Sequence, residues 1–173
     1  MLDVIDCIKQ RRSIRSFLPA AVPRTLIEKV LQAAVYAPSA GNWQPWHFVV
    51  VENSGQRRAL AKAAADQDFI AEAPVVIVVC AEPARGEQTY GDRARELYCL
   101  QDTAAAIQNL LLAAHASELG TCWVGDFDEG AIAKLLQIGE PYRPVAVIPL
   151  GYPGETPNAR WRRPLSEVVE YRE

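Results

Sequence analysis

The chain is poor in the residues that build metal and disulfide sites, with four cysteines and two histidines among 173 residues. Cys7, Cys80, Cys99 and Cys122 are widely spaced and no pair has CxxC spacing. That argues against a zinc site or a thioredoxin-like motif, and a disulfide framework is out of place in a domain of this size. The four read as reduced thiols inside helices and strands. His47 and His115 have no companion at ligand spacing, so no metal is expected, and His115 on an apolar helix reads as a core histidine. There is no GxGxxG between a strand and a helix, which excludes a Rossmann dehydrogenase, and no P-loop. No apolar run reaches the roughly 18 residues of a membrane helix, and charges at Asp3, Asp6 and Lys9 come too early for a secretory leader. The formal net charge of −3 gives no global attraction to nucleic acid or an acidic membrane. The expectation is a cytoplasmic protein without a nucleic-acid or membrane partner.

What is present is a large apolar inventory. Half the residues are hydrophobic and 23% are charged, enough for one domain or for a protomer whose core a partner completes. Residues 3–11 pattern as a short helix ending in Lys9, Arg11 and Arg12, where cations suit a helix C-terminus. A stronger helix follows over 23–37, opened by Pro23 and stopped by Pro38. Pro38 to Pro45 is a loop, and 46–52 reads as a strand closed by the turn former Asn53-Ser54-Gly55. An Ala-rich helix is expected over 56–65 and a strand buried on both faces over 74–81, followed by an irregular, mobile loop at 82–93.

From about Arg93 to Leu119 the pattern is helical and its second half is almost wholly apolar. Such a helix must be covered on all sides, which in a chain this short implies a sheet on one side and a second subunit on the other. Gly120 is placed to end that helix. Residues 121–125 read as a short strand or extended loop, Asp128 as the cap of a helix running to about Gln137, and 144–151 as a last buried strand, with Pro149 tolerable only near its end or at an edge. The tail 152–173 is rich in Pro and Arg and too polar to pack alone, so it is expected to lie over another surface.

Four clusters carry the possible chemistry. Arg11-Arg12-Ser13-Ile14-Arg15 sets three guanidiniums and a hydroxyl close together, suited to forking onto phosphate oxygens; a solvated basic helix end reads equally well. Pro38-Ser39-Ala40-Gly41-Asn42-Trp43-Gln44-Pro45-Trp46 offers donors and acceptors on Asn42 and Gln44 for the edge of a heterocycle, or is a plain turn entering a strand. Thr121-Cys122-Trp123-Val124-Gly125-Asp126 offers backbone N–H groups that a ring could approach. Arg160-Trp161-Arg162-Arg163-Pro164-Leu165 is an anion contact, a surface basic patch or a salt-bridged arm. A hydrolase triad drawn from Ser39 with a distant His and Asp rests only on residue availability.

Taken in order, these clusters resemble the nitroreductase family in its short single-domain form. The resemblance runs from the Arg-Arg-Ser-Ile-Arg start through Ala-Pro-Ser-Ala-Gly-Asn-Trp-Gln-Pro-Trp and Gln101-Asp102-Thr103-Ala104-Ala105-Ala106-Ile107-Gln108-Asn109. It continues to Gly120-Thr121-Cys122-Trp123-Val124-Gly125, Pro149-Leu150-Gly151-Tyr152-Pro153 and the Arg-Pro-Leu tail. It implies a single α+β sandwich domain over 1–173 with a mixed central sheet, the arm 152–173 being exchanged between the subunits of a homodimer with two FMN at the interface. By position, Arg11, Arg12 and Ser13 look like phosphate and ribityl ligands, and Arg15 like the cation near flavin N1 and O2. Pro38, Ser39, Ala40, Asn42 and Gln44 resemble contacts supplied by the partner. Trp123, Val124 and Gly125 resemble the segment facing the ring, with a Val124 or Gly125 N–H as donor at N5. Arg160 matches a phosphate-reaching tail arginine, followed by Arg162; ahead of it, where many relatives carry a lysine, stands Asn158.

The implied activity is transfer of hydride from NADH or NADPH through FMN to a nitroaromatic, quinone or related small-molecule acceptor by a ping-pong route. The alternative is a flavin-binding sensor, carrier or interaction module without such turnover. Acceptor choice would rest on the 82–93 loop, with Tyr90 or Phe127 contributing.

Overall fold

In the computed structural model, which describes residues 3–172, four strands form one sheet of order β1-β2-β4-β3. They are β1 (Trp46–Val51), β2 (Val75–Ala81), β3 (Gly120–Thr121) and β4 (Arg143–Gly151). The Val/Ile run of β2 is buried at every position because both faces of the sheet are covered. Its alternate side chains part between two cores, as the period of two dictates. Val75, Ile77 and Val79 face the core that includes Ile27, Val30, Ile107 and Leu110, whereas Val76, Val78 and Cys80 face Leu60, Ile70 and Ile132.

Helices α1 (Val4–Gln10) and α2 (Arg24–Val35) begin the chain. The second face is covered by α3 (Ser54–Ala63), α4 (Phe69–Glu72) and, later in the chain, the helix 129–136. Between them come α5 (Glu87–Tyr90), a π-helical turn over Ala94–Tyr98, and α6 (Cys99–Ala116), which lies with α2 on the first face. The last helix, α7 (Glu129–Leu136), is capped by Asp128, whose carboxylate accepts the Ala131 N–H at 2.9 Å. No described helix is long and apolar enough to cross a membrane.

The α+β sandwich is as expected, with differences in detail. Its strands pair antiparallel throughout. The parallel component of the expected mixed sheet reduces to one bridge, Ser13–Thr121. Strand β4 is an interior strand and not an edge, and Pro149 stands near its end, as expected, two residues before Gly151 and opposite Val76. Its register toward β3, set by the Thr121–Leu150 and Val124–Val147 pairs, puts it opposite Cys122, where the pairing lapses between β3 and the Val124 bridge. A residue without an N–H is tolerated where the ladder is already interrupted.

Gly120 does not cap α6 either: Glu118 takes the left-handed conformation (φ 60°), and Gly120 is buried in β3. Its role is close packing, since a Cβ there would stand 2.8 Å from Ile14 Cγ1. Gly120→Ala is expected to cost roughly 1–3 kcal/mol of stability by overpacking, read as a lower thermal midpoint.

The expectation that α6 is covered on all sides is met only in part. Its Asp102, Thr103, Ala106, Ile107, Leu110, Leu111 and Ala114 positions are buried, but Gln101, Gln108 and Ala116 are exposed, and Ala104, Ala105, Leu112 and Ala113 are half-covered. The open stripe continues onto α1, where Val4, Ile5 and Ile8 are exposed, and onto Tyr36 after α2. Tail residues 158–172 are exposed throughout, including Trp161, Leu165 and Tyr171.

Candidate active site

The chain leaves α1 at its C-cap Arg11 and becomes extended. Ser13 then bridges Thr121, and the Ile14 N–H donates to the Thr121 carbonyl at 2.9 Å. Extended geometry sends Ile14 into the core against Gly120 and turns Ser13 and Arg15 to the opposite side. The tail returns along this segment: Leu18 N–H donates to the Tyr152 carbonyl (2.9 Å) and Gly154 N–H to the Ser16 carbonyl (2.8 Å). The antiparallel return delivers residues 155–162 to the same place.

Arg11, Arg12, Ser13, Arg15, Arg160 and Arg162 thus line one cavity of about 550 Å³, together with Glu155, Pro157 and Asn158. None of its five arginines forms an ion pair among the described residues. The single carboxylate, Glu155, accepts the Arg15 backbone N–H rather than a guanidinium. Arg12 spends one nitrogen on the Lys9 and Arg11 carbonyls, at 2.6 and 2.9 Å, which ties it across the end of α1. Burial, and then the charges of Arg162 and Arg12, hold the Arg11 guanidinium below its ordinary pKa. A cluster of cations without counter-charge, with Arg11 and Arg12 kept partly from water, is a site that a polyanion completes.

Trp123–Gly125 lies beside this cavity because the Ser13–Thr121 bridge aligns the two segments. Trp123 and Gly125 are exposed, and a Cβ on Gly125 would meet nothing within 4 Å. The Val124 N–H donates to the Val147 carbonyl at 3.0 Å, and the Val124 carbonyl accepts the Val147 N–H in return. Val124 is therefore not a free donor, and of the two expected N–H donors only Gly125 is left. Cys122 is buried beside Ser13 and Arg15; burial pushes its thiol pKa up, with Arg15 and Ser13 opposing. That makes a poor nucleophile.

The loop bearing Pro38, Ser39, Ala40, Asn42 and Gln44 does not line the cavity. It folds into a 3-10 turn over Ala40–Asn42, with Gly41, Asn42 and Gln44 all left-handed (φ 55°, 57° and 53°). The Gln44 N–H donates to Ser39 Oγ (3.0 Å) and Gln44 Nε2 to the Asn42 carbonyl (3.2 Å). Asp102, at the N-terminal end of α6, accepts the Ala40 N–H. The arginine cluster lies at the other end, where His115 lines a pocket with Arg11 and Arg12. His115 lies thirteen positions beyond Asp102 on α6, a span of about 20 Å at 1.5 Å per residue.

Residues 82–93, expected to be irregular and mobile, carry α5 and are tied to that loop. The Glu82 N–H donates to the Pro45 carbonyl at 2.9 Å, Arg85 donates to the Trp43 carbonyl, and the Tyr90 hydroxyl sits against Gly41. Asp102 stands in one of the motifs that carry the resemblance but has no role assigned there, and Glu155 is in none of them. A lone acid in an apolar helix was a signal for Asp102; nothing local marked Glu155.

His115 Nε2 is buried without a hydrogen-bond partner among the described residues. Burial first, then the charges of Arg11 and Arg12, depress its pKa below 6.5. The unfolded chain therefore binds this proton at a higher pH than the folded one, so stability falls as the pH drops from 6.5 toward the depressed value. Thermal midpoints between pH 7 and 5 are expected to vary less steeply in His115→Leu than in the wild type.

The nitroreductase family model matches residues 8–67 and 62–152. A Methanothermobacter thermautotrophicus protein provisionally named an NADH dehydrogenase/NAD(P)H nitroreductase is 41% identical over 92% of this chain and 82% of its own length. The NADH dehydrogenase of Thermus thermophilus is 32% identical over 99% of this chain and 97% of its own. Among solved structures, the NADPH:FMN oxidoreductase of Vibrio harveyi complexed with NAD+ is 27% identical, with a TM-score of 0.88 over 98% of this chain and 78% of that one.

Proposed function

This chain belongs to the nitroreductase family, and we propose that it is an NAD(P)H-dependent FMN oxidoreductase reducing a nitroaromatic, quinone or related acceptor by a ping-pong route. The observation that carries this reading is the cavity of unpaired arginines, whose donor set fits the phosphate of FMN. The family resemblance and the Vibrio harveyi and Thermus thermophilus relatives supply the flavin and nicotinamide chemistry.

In this reading Arg11, Arg12, Ser13, Arg160 and Arg162 hold the phosphate and ribityl chain. Arg15, one strand step beyond Ser13, supplies positive charge at the pyrimidine edge of the ring, near N1 and O2, where negative charge develops on reduction. The Gly125 N–H is the donor toward N5. Exposed Trp123 would stand beside the ring and the backbone of Val124 and Gly125 would face it, Gly125 admitting it because no side chain intervenes. Bound FMN supplies a two-electron carrier that takes hydride from one substrate and returns it to the next.

The two halves of the site are related by a homodimer. Pro38, Ser39, Ala40, Asn42 and Gln44 stand about 20 Å along α6 from the arginines of their own chain. A twofold axis through the open face of α6 would bring that loop from one subunit to the cavity of the other, covering the apolar stripe at the same time. Residues 152–154 are tied to Ser16–Leu18 of their own chain, and the exposed remainder 158–172, with Trp161, Leu165 and Tyr171 uncovered, would complete the assembly as an arm over the partner, within a single domain spanning 1–173.

Purified protein loaded with FMN and titrated anaerobically with NADH and with NADPH tests the reading. Bleaching of the flavin by either, and its recovery on adding a quinone or nitroaromatic, is the expected result. Flavin that binds but is reduced by neither would sink the reductase in favour of a flavin carrier or sensor. Failure to bind FMN would overturn both.

A further inference from the structure

We propose that Asp102 is the positioning residue that anchors the flavin-contacting loop to α6, so that one subunit presents Ser39, Asn42 and Gln44 to its partner's cavity in a fixed place. The inference rests on the FMN-at-the-interface reading. Asp102 is 9% exposed, on a helix whose neighbouring positions are mostly apolar, and has no ion-pair partner among the described residues. Both its oxygens stand 3.2 Å from the Ala40 nitrogen, so the carboxylate straddles a single backbone N–H. A buried acid kept for one backbone donor is costly unless holding that donor matters.

The loop it holds cannot hold itself. Three of its residues are left-handed, and two of those, Asn42 and Gln44, are not glycine. Its own bonds run from Asn42 N–H to the Ser39 carbonyl, Trp43 N–H to the Ala40 carbonyl and Gln44 N–H to Ser39 Oγ, all within the loop. They set its shape and not its place. On one side Arg85 and Tyr90 meet it from the 82–93 segment; on the other, Ala40 to Asp102 ties it to α6. Because α6 carries the open apolar face, a loop fixed to α6 is fixed relative to the partner. The bond depends on an acceptor oxygen rather than on charge, which separates positioning from a general electrostatic effect.

The test compares wild type, Asp102→Ala and Asp102→Asn, measuring dimer mass, FMN dissociation constant and visible circular dichroism of bound flavin. Asp102→Ala is expected to remain a dimer, bind FMN at least tenfold more weakly and show an altered flavin dichroism. Asp102→Asn keeps a carbonyl oxygen for Ala40 and is expected to restore most of both. Wild-type affinity and dichroism in Asp102→Ala would overturn the proposal, as would an asparagine variant as impaired as the alanine one. If Asp102→Ala fails to assemble, hydrogen exchange on the wild-type dimer decides: the Ala40 amide should be protected, and exchange as fast as at exposed Gly41 would overturn the anchor. Wild-type protein that protects Ala40 but binds no FMN would defeat the flavin reading and not the anchor.

Discussion

Arg11→Ala is expected to weaken FMN binding roughly ten- to a hundredfold, the worth of a charge-assisted hydrogen bond to phosphate, while leaving the flavin-free protein at least as stable as the wild type. The two effects have opposite signs for one reason. Without an anion the Arg11 guanidinium is partly buried, unpaired and set against Arg162 and Arg12, so the fold works against its charge. Removing it relieves that repulsion. With a phosphate in the cavity the same charge becomes a strong contact, because the guanidinium is partly withdrawn from water.

Arg12→Ala is the control. That side chain also binds the Lys9 and Arg11 carbonyls at the end of α1, so its loss is expected to lower both affinity and thermal midpoint. Calorimetry with FMN and melting without it check the pair. An Arg11→Ala protein that melts lower and binds FMN normally would show a structural arginine and remove the anion site.

Ala116→Arg is expected to convert the proposed dimer to monomer, weakening association roughly a hundredfold or more, since an unpaired charge in an apolar interface costs several kcal/mol. Its FMN affinity should fall with it. Ala116 is exposed in the single chain and lies in the shallow groove it shares with Val4, Tyr36, Leu112 and Ala113, so no core residue of the subunit is disturbed. Arginine is a good helix former, and a cation in the last turn of α6 suits the helix dipole. Normal far-ultraviolet dichroism with halved mass in sedimentation is the predicted signature. A dimer of unchanged affinity would move the interface away from this face. A monomer binding FMN normally would show that the partner's loop is not needed.

Much of the fold was legible because its signals are local. The Val/Ile run of β2 and the helical spacing of Leu26, Ile27, Val30 and Leu31 follow from burial periodicity, and Asp128 was recognisable as a cap by its position before an apolar run. Helix α4, four residues long, carries too little periodicity to register. The order and direction of strands were not legible either, since a doubly buried run looks the same in parallel and antiparallel sheets. Gly120 misled because a glycine after a helix has two uses, a left-handed cap and a place for a neighbour's side chain, and only the position of Ile14 decides between them.

The same division runs through the candidate site. The sequence by itself set Arg11, Arg12, Ser13 and Arg15 close together, made the loop 38–45 a turn rich in polar groups, and gave α6 a largely apolar surface. These are properties of neighbouring residues and of one helix's surface. Only the tertiary structure decided that the tail doubles back along Ser16–Leu18 to add Arg160 and Arg162, a consequence of pairings between residues far apart in the chain. It alone showed the Val124 N–H already engaged with Val147, and set the loop and the arginines at opposite ends of α6. A straight helix keeps its ends apart, so the flavin site proposed between subunits needs a second copy to close the gap.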